Sequence, residues 1–207
     1  TAMHTSSGAF NKYPENKLVA DSYGIIMSSS HCEPLLFNNV TEWDKKTMGE
    51  WNYITNKGGI NKILDRLVSE NDPYENIYTI AMRGIHDAGL VGVPKDKEVS
   101  LVEEVIADQR GILKQHVDSP LDSIPQIFVP YKEVLDIYER GLRLPEDIML
   151  VWPDDNFGYI KRLNNKEERN RKGGSGVYYH ISYLGEPHDY LWLNTTPPAL
   201  MFEEMRK

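Results

Sequence analysis

Five acids stand directly after short apolar runs: Glu33, Asp87, Glu133, Asp154 and Asp155. Two carboxyl groups facing one another suit the cleavage of a glycosidic bond. One protonates the leaving oxygen, and the other activates water or attacks. A competing assignment is that each acid caps the helix that follows, where the helix dipole favours negative charge. Glu133, which begins a helical stretch, is open to both. His31, His86 and His180 occupy similar positions. With acidic neighbours they could ligate a metal, but no HxH or HExxH spacing is present, so no metal or cofactor is expected. Hydrogen bonding to polyol hydroxyls is the expected role. Arg83 also ends an apolar run. A buried guanidinium needs a planar anion, either a substrate carboxylate or a protein acid such as Asp87 four residues on. Lys132 could serve a similar anion.

Other reactive types read more plainly. Cys32 beside His31 lacks an oriented base and is expected to be a small buried residue. Trp43, Trp51, Trp152 and Trp192 could stack on sugar faces, with core packing expected for most of them. His4 and His116 read as surface residues, His188-Asp189 as a loop cap, and the charged run 166–172 as a solvated helix face. Asn39-Val40-Thr41 and Asn194-Thr195-Thr196 match the glycosylation acceptor pattern.

The elements that must position these groups alternate along the chain. Apolar runs at 23–27, 77–82, 124–129, 148–152 and 177–183 are rich in Ile, Val, Tyr and Phe. Several are apolar throughout, as in strands covered on both faces. Between them, Ile60, Ile63, Leu64 and Leu67 form one helical stripe. Leu101, Val102, Val105, Ile106 and Ile112 form another, and Val134, Leu135 and Tyr138 begin a third. The β-α-β-α order implies right-handed crossovers and a parallel sheet. Ionisable groups follow every strand, as at the mouth of a TIM barrel. An open doubly wound sheet would instead gather them at one switch point with a Gly-rich phosphate loop, and neither GxGxxG nor a Walker loop occurs. The fold class expected is α/β: a partial (β/α)8 TIM barrel of about five to six β/α units, residues 2–4 supplying the end of a further strand.

Composition sets outer bounds. The 207 residues are 40% hydrophobic and 26% charged, enough for one sizeable core. A net charge of −8 disfavours a nucleic-acid or anionic-membrane binder. The single cysteine excludes an internal disulfide framework. No apolar run approaches the roughly 18 residues of a membrane span, and no signal peptide is visible. The chain opens on Thr1 and closes on charged, helix-like sequence at 202–207, and is expected to be a piece of a longer one.

The motifs at the strand ends resemble those of glycoside hydrolase family 115, the xylan α-1,2-glucuronidases. They are Tyr23-Gly24-Ile25-Ile26-Met27 with Ser30-His31-Cys32-Glu33-Pro34, Met82-Arg83-Gly84 with Asp87, and Phe128-Val129-Pro130-Tyr131-Lys132-Glu133-Val134. Val151-Trp152 with Asp154-Asp155-Asn156-Phe157-Gly158-Tyr159 follows, and Gly174-Ser175-Gly176-Val177-Tyr178-Tyr179-His180 with Pro187-His188-Asp189-Tyr190-Leu191-Trp192-Leu193-Asn194 completes the set. The resemblance covers essentially the whole chain in order. One departure is Cys32, where the family usually has a second histidine. The resemblance implies that residues 1–207 are a segment of a TIM-barrel catalytic domain, incomplete at both ends, within a multidomain and secreted or periplasmic enzyme. It implies inverting removal of α-1,2-linked (4-O-methyl)glucuronic acid from glucuronoxylan or a related oligosaccharide, without a cofactor. By motif position Glu133 is the general acid and Asp87 a candidate base. Arg83, Asp154, Asn156, His180, His31 and Glu33 are substrate contacts. A truncated segment that only binds carbohydrate is the alternative for the isolated chain.

Overall fold

The structure is a computed structural model, which describes residues 2–4, 15–38, 41–155, 157–180 and 197–206, with the backbone alone for 2–4 and 86. In chain order the elements are β1 (Ala2–His4), α1 (Glu15–Ser22), β2 (Ile26–Ser28), α2 (Lys45–Met48), α3 (Tyr53–Asn71) and β3 (Asn76–Thr79). They continue with α4 (Glu98–His116), β4 (Gln126–Phe128), α5 (Glu133–Glu139), β5 (Met149–Pro153), β6 (Ser175–Tyr178) and α6 (Pro198–Arg206). The six strands form one sheet in sequence order, and every pairing is parallel. Consecutive parallel strands, with helices crossing between most of them, form a partial α/β barrel. Each of the five apolar runs supplies a strand, and residues 2–4 supply β1, paired from Ala2↔Ile26 to His4↔Ser28.

The strands are short, so the helical layer supplies much of the core. Asn52 caps α3 by accepting the backbone N–H groups of Ile54 at 2.9 Å and Thr55 at 3.3 Å. The stripe read from the sequence then buries Ile60, Ile63, Leu64 and Leu67 against Val102, Val105 and Ile106 of α4 in one cluster. Leu64 and Leu67 are wholly buried, each contributing about 2 kcal/mol of apolar transfer. His116, read as a surface residue, is partly exposed and bonds the half-exposed Asp65 through Nε2 at 2.7 Å, fastening the end of α4 to α3. On β5, Leu150, Val151 and Trp152 are all buried, as a strand covered on both faces requires.

The charged run 166–172 does not form a solvated helix face. It makes only a short 3-10 turn at Glu168–Asn170. Glu168 is buried and accepts from Arg162 Nη2 at 2.7 Å, Tyr138 O–H at 3.0 Å and the Asn165 N–H at 2.8 Å. The Arg162 guanidinium lies 4.6 Å over the Trp152 ring. A polar network therefore packs over Trp152 of β5, its buried carboxylate matched by donors.

Candidate active site

Among the described residues, five other than glycine have positive φ: Leu35, Leu36, Ala81, Asp87 and Lys132. All follow the C-terminal ends of β2, β3 or β4. Such backbone costs about 1–3 kcal/mol per residue and persists where surrounding contacts over-determine it. Gln109, buried on α4, supplies one such contact. Its Oε1 accepts the Ala81 N–H at 2.8 Å, and its Nε2 donates to the Ala81 carbonyl at 2.9 Å. A helix side chain thus replaces the missing ladder bonds just where β3 turns toward Arg83. In the sequence, Gln109 was visible only as a polar residue at helical spacing from Val105 and Ile112.

Arg83 is at the centre of the constellation, with 2% of its surface exposed. Its Nε donates to Glu133 Oε1 at 3.0 Å and its Nη2 to Glu133 Oε2 at 2.8 Å. Its Nη1 makes an ion-pair contact with Asp87 Oδ1. The two carboxylates singled out for catalysis therefore share one guanidinium. Glu133 is also the first residue of α5. It begins a helix as expected, and its side chain reaches the Arg83 guanidinium at the strand ends.

Asp87 gathers further donors. His31 Nε2 is 2.8 Å from its Oδ1, and Lys132 Nζ donates to its Oδ2 at 3.1 Å. A carboxylate only accepts, so His31 carries its hydrogen on Nε2, and its Nδ1 accepts from Ser30 Oγ at 3.1 Å. Burial foremost, then the charges of Arg83, His180 and Lys132, push His31 down from its ordinary 6.5 to about 3. The imidazole is neutral throughout the neutral pH range. The Tyr131 ring packs 4.6 Å from that of His31, with Arg83 at 5.4 Å and Lys132 at 5.0 Å over its face. Ser30 and Tyr131 were not singled out from the sequence; only their neighbours His31 and Lys132 marked the loops.

Asp154 is buried at the end of β5. Its Oδ2 accepts the backbone N–H of His180 at 2.9 Å, and its Oδ1 bonds His180 Nδ1. This pair fixes the ring beyond β6, where it lies 5.1 Å from the Tyr178 ring, itself 5.9 Å from His31. Asp155 accepts the N–H groups of Phe157 at 2.9 Å and Tyr159 at 3.1 Å and shapes its own turn. Glu33 is buried, and its Oε2 accepts the Ser30 N–H at 3.4 Å within the β2 loop. Asn156, like His188 and Trp192, lies outside the described residues. His31, Asp87, Arg83, Glu133, Asp154 and His180 therefore meet at one end of the sheet.

Cys32 is buried, as expected for a small apolar-like residue. Among the described residues, His31, Cys32 and Asp87 bring three potential ligand atoms within 4.8 Å of one another. Asp87 already faces Arg83 and Lys132, and their positive charges oppose a cation at that carboxylate.

A parallel α/β barrel segment with acids converging on one arginine at the C-terminal strand ends is the arrangement in which enzymes of this fold carry their active sites. The chain belongs to glycosyl hydrolase family 115, whose family model matches residues 1–207. A solved structure titled "A novel family GH115 4-O-Methyl-alpha-glucuronidase, BtGH115A, with specificity for decorated arabinogalactans" superposes with a TM-score of 0.85 at 44% sequence identity. The match covers 93% of this chain and 26% of that one, so this chain spans about a quarter of its neighbour. No curated protein matches.

Proposed function

We propose that the protein containing this chain is an inverting glycoside hydrolase that removes α-1,2-linked (4-O-methyl)glucuronic acid side chains from xylan. The observation that carries this reading is the Arg83 guanidinium shared between Glu133 and Asp87, in a family whose neighbour is a 4-O-methyl-alpha-glucuronidase. Glu133 is the general acid, which delivers a proton to the leaving glycosidic oxygen. Asp87 is the base, which takes a proton from the attacking water. Arg83 positions both acids at the strand ends; both Glu133 oxygens accept from it, so Glu133 takes up the proton it delivers when one of those bonds yields to substrate. His31 buttresses Asp87, and Asp154 holds His180 against the sugar. Asn156 completes the substrate contacts by motif position.

Residues 1–207 are in this reading a segment of the catalytic barrel, incomplete at both ends, whose remaining strands and domains come from the parent chain. Six strands of an eight-stranded barrel, with β1 and β6 each paired on one side among the described residues, support it. The same observation favours a second reading for the isolated chain: it binds carbohydrate without turnover. Among the described residues no helix is long and apolar enough to cross a membrane, and a polymeric plant substrate places the enzyme outside the cytoplasm. The polymer itself is tested on two candidates. Xylan follows from the family resemblance, and decorated arabinogalactan from the neighbour's printed specificity.

The test uses the full-length parent enzyme on glucuronoxylan and on glucuronosylated arabinogalactan, with the released uronic acid followed by NMR. The α anomer should give the β product first. Glu133→Gln is expected to lower kcat by about 10²–10⁴-fold on either polymer, and less on a substrate whose leaving group needs no proton. Asp87→Asn should impair both substrate types alike. Equal loss on both for Glu133→Gln rejects its role as acid, and initial retention of configuration rejects inversion.

A further inference from the structure

Asp87 is met by three donors from three different loops. His31 follows β2, Arg83 follows β3 and Lys132 follows β4. His31 Nε2 is 2.8 Å from Oδ1, Arg83 Nη1 contacts the same oxygen, and Lys132 Nζ donates to Oδ2 at 3.1 Å. Each of the three also packs on one side chain, the ring of Tyr131. The His31 and Tyr131 ring centroids are 4.6 Å apart, and the planes cross at 63°. The Arg83 guanidinium and the Lys132 ammonium lie over the tyrosine ring, 5.4 Å and 5.0 Å from its centroid. Two cations gathered on one carboxylate repel each other, and the negative face of an aromatic ring offsets part of that repulsion. The backbone of the carboxylate and of one donor is strained as well, with Asp87 at φ 64° and Lys132 at φ 49°. Such conformations persist only where contacts over-determine them. Tyr131 leads directly into Lys132 and Glu133, so the residue beneath the donors of one acid also adjoins the element that carries the other.

We infer that Tyr131 is a positioning residue for the base: its ring holds His31, Arg83 and Lys132 together on Asp87, which keeps that carboxylate charged and oriented. The inference rests on the glycosidase reading above, in which Asp87 is the base. Tyr131 acts through the three donors and needs no contact with substrate. Its contribution is the face and shape of the ring, which phenylalanine shares and leucine lacks. Among the described residues, the titratable groups around Asp87 are His31 and Cys32 on the β2 loop, Arg83 on the β3 loop and Lys132 before α5. Glu133 shares Arg83 with it, and His180, held by Asp154, adjoins the Tyr178 ring beside His31. Arg83, Lys132 and the His31 N–H favour the charged form of Asp87, and Glu133 opposes it. Loosening the donors therefore raises the pH at which Asp87 takes up a proton, and a protonated base cannot activate water.

The experiment compares the full-length parent enzyme with Tyr131→Leu and Tyr131→Phe, on the polymer and on a substrate whose leaving group needs no proton. Tyr131→Met provides a second side chain without a ring. Tyr131→Leu is expected to lower kcat about tenfold on both substrates, since water must be activated whatever departs. The acidic limb of its kcat/KM profile should move up by about 0.5–1 pH unit, the scale of a lost cation–π contact. KM should change less than about twofold. Tyr131→Phe should stay close to the parent in limb and kcat. Crystal structures of the three should show His31 or Lys132 withdrawn from Asp87 in the leucine variant only. An unmoved acidic limb in Tyr131→Leu overturns the inference. So does a rise in KM alone, which would make Tyr131 a stacking surface for sugar, and so does an equal loss in Tyr131→Phe, which would assign the role to the hydroxyl. A parent that releases no uronic acid overturns the proposed activity by itself. The crystal structures then still decide the role of the ring, and donors that stay on Asp87 in Tyr131→Leu overturn it.

Discussion

Arg83 joins Glu133 through two hydrogen bonds and meets Asp87 through its third nitrogen. Lysine there keeps the charge and loses the fork, so it can hold one acid but not both. Arg83→Lys in the full-length enzyme is expected to lower kcat for natural and activated substrates alike. It should also cost about 1–3 kcal/mol of stability, the scale of losing charged hydrogen bonds at a buried site. Kinetics with paired thermal melts check this, and a pure KM effect on acidic substrates would contradict it. His31 carries a second expectation. Its folded value of about 3 lies below the ordinary 6.5. Between those values the unfolded chain takes up a proton that the folded chain refuses. The stabilisation is therefore complete above pH 6.5 and lost as the pH falls toward 3. Melting temperatures from pH 7 to pH 4 should drop more steeply in the parent than in His31→Gln. Parallel slopes would show that another group sets the acid sensitivity.

At the scale of elements, the site depends on how β3 ends. Ala81 stands at φ 103°, and its backbone is satisfied by Gln109 rather than by a neighbouring strand. Gln109→Leu fits the apolar surroundings but strands two buried backbone groups, each costing about 1–3 kcal/mol. The expected outcome is a lower denaturation midpoint together with a lower kcat, since Arg83 lies two residues beyond Ala81. Gln109→Glu retains one acceptor and should recover part of the loss. If Gln109→Leu destabilises without touching kcat, the strained turn does not set the position of Arg83. The β5–β6 connection belongs to the same scale. Glu168, Arg162 and Tyr138 lock an irregular segment over Trp152, and Asp154 and His180 meet across the two ends of that connection.

For the molecule as a whole, the sheet leaves β1 and β6 with one partner each among the described residues. Unpaired parallel edges are a template for association. The 207-residue chain expressed by itself is expected to self-associate and to show no turnover, while the parent enzyme is monodisperse by comparison and active. Light scattering and a uronic-acid release assay on both samples check this. A monomeric, active segment would show that six strands suffice.

Much of the architecture was legible in residues alone, because burial on both faces demands continuous apolar runs and helices demand a 3.6-residue stripe. The five runs, the three stripes and the polar strand ends follow from that demand. The site was legible only as a set of candidates. Spacing along the chain placed Asp87 four residues from Arg83, but Glu133 reaches the same guanidinium from 50 residues away, a distance no local pattern encodes. The Asp154–His180 bond spans 26 residues for the same reason. Charge runs misled where burial decided: Glu168 in a segment of alternating charge is buried because Arg162 and Tyr138 come to it. Sequence determined which groups stand at strand ends, since secondary structure is a local property of side-chain pattern. Only the parallel stacking of strands decided which of those groups touch, because contact across a sheet depends on register and crossover rather than on spacing along the chain.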